Sequence, residues 1–244
     1  FKLWLVDNSP AWLGKAYEVF TNNPKVKCFL LEKKNSHYAT LEKAVGKGNV
    51  DHVISAHTVH LIPNLKETFI GIAESLKENG TFTFLSGNIP RSDGPKGALL
   101  VDDTVRRVHD LALDIVRKDS RFSVYGNELD QRIKLTESQR KFVFPDPRPI
   151  EIYLQVLKQA NFKYMEHHYK LVKIKYDDWL NFLRVKRLQA GILPEIGGNE
   201  SSQKEESDRD TLITLAANKL FDELRSKNPL ADVHGFVIDF LCVA

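Results

Sequence analysis

Two histidines, His57 and His60, stand three positions apart in DHVISAHTVHLIPNL, directly after an apolar run of strand character. An imidazole ionises near neutral pH, so either ring could take a proton from a hydroxyl held beside it. The plain alternative for each is a helix-flanking histidine that packs and hydrogen-bonds locally. Asp7 ends the apolar run FKLWLV, and Asn8 follows it on the same turn. The Asp7 carboxylate is an acceptor-only group, suited to a pair of hydroxyl donors or to a helix N-terminus. Glu32 closes CFLLE and is either a binding carboxylate or a solvated strand end. His167 and His168 are adjacent on a strand-like run, so at most one of them faces a site. No further ligands stand at metal-binding spacing, and no metal is expected. In YDDWLNFLRVKR, Trp179 and Arg184 could line an acceptor pocket. His109, with Arg106 and Arg107, could belong to a lid over it. Against both stands the ordinary amphipathic helix with a solvated charged face.

These residues are spaced by elements readable from turn and cap signals. Strand-like runs are FKLWLV, KVKCFLLE, VDHVISA and TFTFLSG, and they alternate with helical runs. DNSP starts the first helix, with Asn8 or Ser9 as cap and Pro10 in the first turn. SHYATLEKAVGKG reads as a helix stopped by Gly46 and Gly48, and NLKETFIGIAESLKENG as a long one ending at Gly80 in a left-handed cap. Such alternation predicts a mainly parallel sheet with helices on both faces. Ligands of such sheets bind beyond the carboxyl ends of the strands. Asp7, Glu32, Ser55–His60 and Ser86–Asn88 collect at those ends.

From 88 to 148 the pattern changes to a loop, an amphipathic helix over 98–119 and a proline-punctuated stretch, read as an insertion packed over the sheet's carboxyl edge. The remainder reads as a helix over PIEIYLQVLKQANF, a strand over KYMEHHYKLVKI, one helix over 176–196, a mobile polar hinge over 197–210, a helix from 211 and a final strand.

The chain has 244 residues, 42% of them apolar and 27% charged, with a net charge of +3. That is ordinary for a soluble globular domain. The charge is too small for a nucleic-acid surface, so no such partner is expected. No apolar run approaches the ~20 residues of a membrane span and no signal peptide is visible. Two distant cysteines, Cys28 and Cys242, fit reduced thiols in a cytoplasmic protein.

The order of these segments resembles class I S-adenosylmethionine-dependent methyltransferases. LVDNSPAWLGKAYEVF resembles their second strand and following helix, and residues 51–84 resemble the fourth strand, helix and fifth strand. LKQANFKYMEHH is similar to the helix and sixth strand, with Asn161 where glycine is usual, and HGFVIDFLCVA to the closing antiparallel strand. The spacing around CFLLEKK is similar to methyltransferase domains of polyketide pathways, in secondary metabolism. The resemblance implies an α/β Rossmann-like fold: a mainly parallel sheet with an antiparallel last strand, helices on both faces and a helical cap. The methyltransferase-like core would be 1–87 with 149–244, and the cap 88–148.

The resemblance implies S-adenosylmethionine as cofactor, bound by Asp7 at the ribose, by Asn8 and Glu32 near the adenine, and by the Ser55, Ala56 and His57 segment at the amino and sulfonium ends. A methyl group would pass to an oxygen, or to a carbon or nitrogen, of a small or carrier-bound metabolite, with His57 or His60 as base. The family's first strand and glycine-rich loop have no counterpart here: GKG at 46–48 and GG at 197–198 stand in other contexts. The expectation is that a further segment supplies them. The competing expectation is a non-catalytic scaffold of this fold that binds a protein or carrier partner.

Overall fold

The computed structural model describes residues 1–34, 37–163, 165–198 and 200–244. The first helix shows how locally the sequence acts. β1 (Leu3–Asp7) runs into α1 (Pro10–Val19), whose cap is Ser9 with Pro10 at the first helical position. Ser9 Oγ accepts the Trp12 N–H at 3.4 Å, and Asp7 Oδ1 accepts the Ser9 N–H at 2.8 Å. Both bonds satisfy donors that the helix start leaves free. β2 (Val26–Leu30) returns parallel to β1, with Leu5 opposite Cys28. A short antiparallel pair follows, β3 (Lys33–Lys34) with β4 (His37–Tyr38). Of the helix expected over 36–48, only α2 (Leu41–Val45) forms, and Ser36 lies outside the described residues.

The main sheet has the strand order β5 (Val50–Ala56), β6 (Leu76–Ser86), β8 (Gly235–Val243), β7 (His167–Lys175). β5 and β6 are parallel, and β8 is antiparallel to both its neighbours. Hence β5, β6 and β7 run one way and the last strand alone runs back, as the sequence implies. Alternation along β8 divides the core in two. Phe236 and Ile238 face a helical layer, while Leu241 and Val243 face the other side. On that other side, α3 (Leu65–Ser75) and α7 (Ile150–Gln159) pack over β6. Phe69, Phe82, Phe84 and Tyr153 form its ring cluster, with centroids 5.4 to 6.1 Å apart.

The helical layer contains α4 (Val101–Lys118), α5 (Ser123–Gly126), α6 (Leu129–Val143), α8 (Tyr176–Leu183), α9 (Lys186–Ile192) and α10 (Gln203–Lys227). The 88–148 segment therefore shares one core with helices from 176–227. Val105, Val108 and Ala112 of α4 lie in the same cluster as Leu212, Ile213 and Ala216 of α10.

Several boundaries differ from those read in the sequence. α3 stops at Ser75, and the left-handed residue is Asn79 (φ 62°), inside β6 where its register with β5 shifts, rather than Gly80. Gly80 is required for a different reason: a Cβ there would sit 3.0 Å from the carbonyl oxygens of Asp51 and Lys77. The single helix expected over 176–196 is two, α8 and α9. The segment read as a mobile hinge is the first two turns of α10 from Gln203 on, started by a reciprocal cap between Ser202 and Glu205. The buried Arg209 ties it down, donating to the carbonyls of Ile196 and Gly198. Asn161, the departure from the family's glycine, has φ 66°, a region asparagine tolerates at a helix end. The residue after it closes the helix end: the Phe162 N–H donates to Leu157 O at 3.1 Å.

Candidate active site

The sheet gathers its chemistry where β5 and β6 end. β5 finishes at Ala56, and His57 continues the ladder by donating its N–H to Leu85 O at 2.9 Å. There the chain turns sharply, because His57 adopts φ 55°. A side chain other than glycine rarely holds that conformation, and histidine is among those that do so more readily. Such outliers cluster at functional sites. The His57 ring is exposed on one side and packs edge-on against Phe240, centroids 5.3 Å apart. Loss of water at that contact lowers its pKa.

His60 lies one turn further on, in the short 3-10 turn Val59–Leu61. Its Nδ1 is 2.9 Å from Ser86 Oγ, at the end of β6. Its pKa is pushed down to about 4 by burial, with the charges of His57 and Arg148 acting the same way. Arg148 holds this turn from the far side. One of its nitrogens, Nη2, donates to His60 O at 2.9 Å and to Ile62 O at 2.8 Å. Its guanidinium lies 5.4 Å from the Tyr153 ring centroid.

Beyond Ser86 the polar contacts continue. Ser86 Oγ accepts the Asn88 N–H at 3.0 Å, and Asn88 Oδ1 accepts the Asp102 N–H at 2.7 Å, at the start of α4. Asp102 is 1% exposed and paired with Arg106 through one oxygen; its Oδ1 has no partner. Burial raises its pKa, with Arg106 opposing.

Ser55, Ala56, His57 and His60 thus come together with Ser86. Asp7 ends β1 of the separate two-stranded sheet, Asn8 follows it, and Glu32 lies two residues past β2. Among the described residues, no hydrogen bond, ion pair or ring contact joins that group to the histidines. Asp7 uses Oδ1 for Ser9, and Asn8 and Glu32 are exposed.

The three residues expected to contact an acceptor are placed elsewhere. Trp179 is 4% exposed, sits edge-on to Phe236 at 5.2 Å and donates to Thr104 Oγ1 at 3.1 Å. His109, 7% exposed, lies 3.2 Å from Glu195 Oε1, which also accepts from Thr136. Arg184 grips Asp210 with two bonds of 2.9 and 2.8 Å on the surface. Trp179 and His109 are therefore interior residues of the helical layer, and Arg184 ties α8 to α10. An amphipathic pattern marks the buried face of a helix but not what covers it, hence the difference. The sequence marks Ser86 only as part of the Ser86–Asn88 strand end and does not single out Arg148 at all. Arg148 stands 88 residues from its partner His60, between two prolines, and nothing local marks it.

No protein-family model and no curated protein matches the chain. Solved structures are similar to it in layout. A candidate methyltransferase from an antibiotic biosynthesis pathway of Anabaena variabilis is 14% identical, with a TM-score of 0.49 over 99% of this chain and 80% of that one. The YcgJ protein from Bacillus subtilis is 12% identical, with a TM-score of 0.48 over 99% and 80%. A phosphoethanolamine N-methyltransferase from Haemonchus contortus, solved with phosphomonomethylethanolamine and S-adenosylhomocysteine, is 14% identical, with a TM-score of 0.44 over all of this chain and 44% of that one. Likeness at this depth concerns layout and leaves activity to be argued from the residues. No helix among the described residues is long and apolar enough to cross a membrane.

Proposed function

We propose that this chain carries a class I methyltransferase site. It would move a methyl group from S-adenosylmethionine to an oxygen of a small or carrier-bound metabolite, with carbon and nitrogen as further acceptor atoms. One observation carries the reading: parallel strands present polar residues at their carboxyl ends, Asp7 on β1, Ser55–His57 on β5 and Ser86–Asn88 on β6, with His57 turned at φ 55°. The sequence resemblance supports the same assignment, and its polyketide-type members favour a carrier-bound acceptor.

The residues fit the adenosine end of the cofactor. Asp7 keeps a carboxylate oxygen beyond its bond to Ser9, and a carboxylate accepts several hydrogen bonds, enough for two ribose hydroxyls. Asn8 and Glu32 would flank the base. For the amino-acid end, the described residues offer the β5 strand end and no glycine-rich cradle. When bound, the cofactor supplies a sulfonium that is already a strong electrophile. The chain's own task is then to align the acceptor and receive its proton. His57, whose pKa burial lowers and whose ring contacts Phe240, would receive it.

A second reading, a non-catalytic scaffold for a protein or carrier partner, is favoured by the free edges of β1 and β5. Each strand pairs on one side only among the described residues.

Calorimetry with S-adenosylmethionine separates the two. The expected outcome is micromolar binding that Asp7→Ala weakens tenfold or more, about 1.4 kcal/mol. A chain folded by circular dichroism that shows no binding leaves the scaffold as the better account.

A further inference from the structure

Ser86 is wholly buried, and its hydroxyl has two neighbours among the described residues: the Asn88 N–H at 3.0 Å and His60 Nδ1 at 2.9 Å. A hydroxyl offers one donor and accepts at its lone pairs. Asn88 can only donate, so it occupies an acceptor position. The remaining question is which way the bond to His60 runs. If His60 Nδ1 carried the proton, the Ser86 hydroxyl would have no acceptor and would be a buried orphaned donor, a costly arrangement. If Ser86 donates, every group is satisfied. Nδ1 then accepts, and the neutral ring carries its proton on Nε2.

We propose that His60 is a fixed neutral hydrogen-bond donor rather than a proton acceptor, with Ser86 and Arg148 as its positioning residues. Ser86 selects the tautomer. Arg148 fixes the ring's backbone through His60 O and Ile62 O, from a guanidinium braced on the buried Tyr153. The low pKa of about 4 agrees, since burial and the charges of His57 and Arg148 all resist protonation. Nε2 has no partner among the described residues and is not among the buried unpartnered atoms. It meets solvent at the carboxyl edge of the sheet. A neutral imidazole N–H there would bind an oxygen acceptor, a carboxylate or a polarised carbonyl. This last step rests on the methyltransferase reading; the tautomer does not. The two neighbouring histidines then divide the work, with His57 left to receive a proton and His60 to donate a hydrogen bond.

The test is nitrogen NMR of the full chain labelled with 15N-histidine, His60 being assigned by its loss in His60→Gln. Expected is a pyridine-type Nδ1 and a pyrrole-type Nε2, unchanged from pH 8 to pH 5. In Ser86→Ala the two nitrogens move toward averaged shifts, and Ser86→Thr restores the original pattern. A pyrrole-type Nδ1, or a ring that protonates near pH 6.5, overturns the proposal whatever the protein catalyses. With S-adenosylhomocysteine as probe, His60→Gln keeps an N–H donor near the Nε2 position and should bind within about threefold of the parent, whereas His60→Phe should weaken binding about tenfold. Equal loss in both variants removes the donor role. No binding by the parent chain sinks the cofactor reading, and the nitrogen spectrum still decides the tautomer.

Discussion

Residues up to Ala44 and those from Val45 onward obey the same rules of secondary structure with different results. Among the described residues, the first stretch contains no buried one, although it holds two parallel strands and a ten-residue helix. Trp12, Tyr17, Val19 and Phe20 of that stretch are exposed. The second stretch builds two cores, one on each face of the four-stranded sheet. The difference is coverage. A parallel strand needs helices on both faces and a neighbour on both edges to hide its apolar residues and pair its backbone. β6 has β5 and β8 beside it and α3 and α7 packed over one face. β1 has β2 on one edge and α1 beside it. Even β5 is half covered: Ile54 is 77% exposed on a strand whose outer edge pairs with nothing among the described residues.

The contrast is sharpest in hydrogen exchange. Amides of β1 and β2 are expected to exchange orders of magnitude faster than those of β7 and β8, whose ladder pairs nine residues without a break. Comparable protection in both sheets would mean that the two-stranded unit is held by contacts beyond those described. Core truncations should follow the same divide. Phe84→Ala, at a ring with no exposure and three aromatic neighbours, should cost about 3–5 kcal/mol in denaturant unfolding. Phe29→Ala, half-buried beside Trp4, should cost about 1 kcal/mol.

Acid links the comparison to the site. His60 has a folded pKa of about 4 against an ordinary 6.5. The unfolded chain therefore binds a proton more readily, and the stability that neutral His60 contributes is complete above pH 6.5. It falls as the pH drops toward 4, by up to about 3 kcal/mol. His60→Gln should flatten that part of the pH profile in urea unfolding. An unchanged slope between pH 6.5 and 4 would place its origin elsewhere.

Much of the main sheet is legible in the sequence because its signals are local. β5, α3 and β6 follow from apolar runs broken by turn residues, and Ser9 and Pro10 start α1 as read. Errors fall where a local signal was ambiguous. Residues 203–210 are polar enough to read as a hinge, yet buried Arg209 and the Ser202 cap make them helix. Trp179 is aromatic on an amphipathic segment, which fits a pocket wall or a core equally well until a neighbour is known. Thr104 and Phe236 are those neighbours, and they lie 75 and 57 residues away.

The site divides along the same line. By itself the sequence determined that polar residues stand at strand ends, that His57 and His60 share a turn, and that the layout is α/β, because periodicity and turn chemistry act within a few residues. Only the tertiary structure decided which groups surround each histidine. Ser86 and Arg148 reach His60 from 26 and 88 residues away, and a proton's place on an imidazole depends on the partner of the other nitrogen.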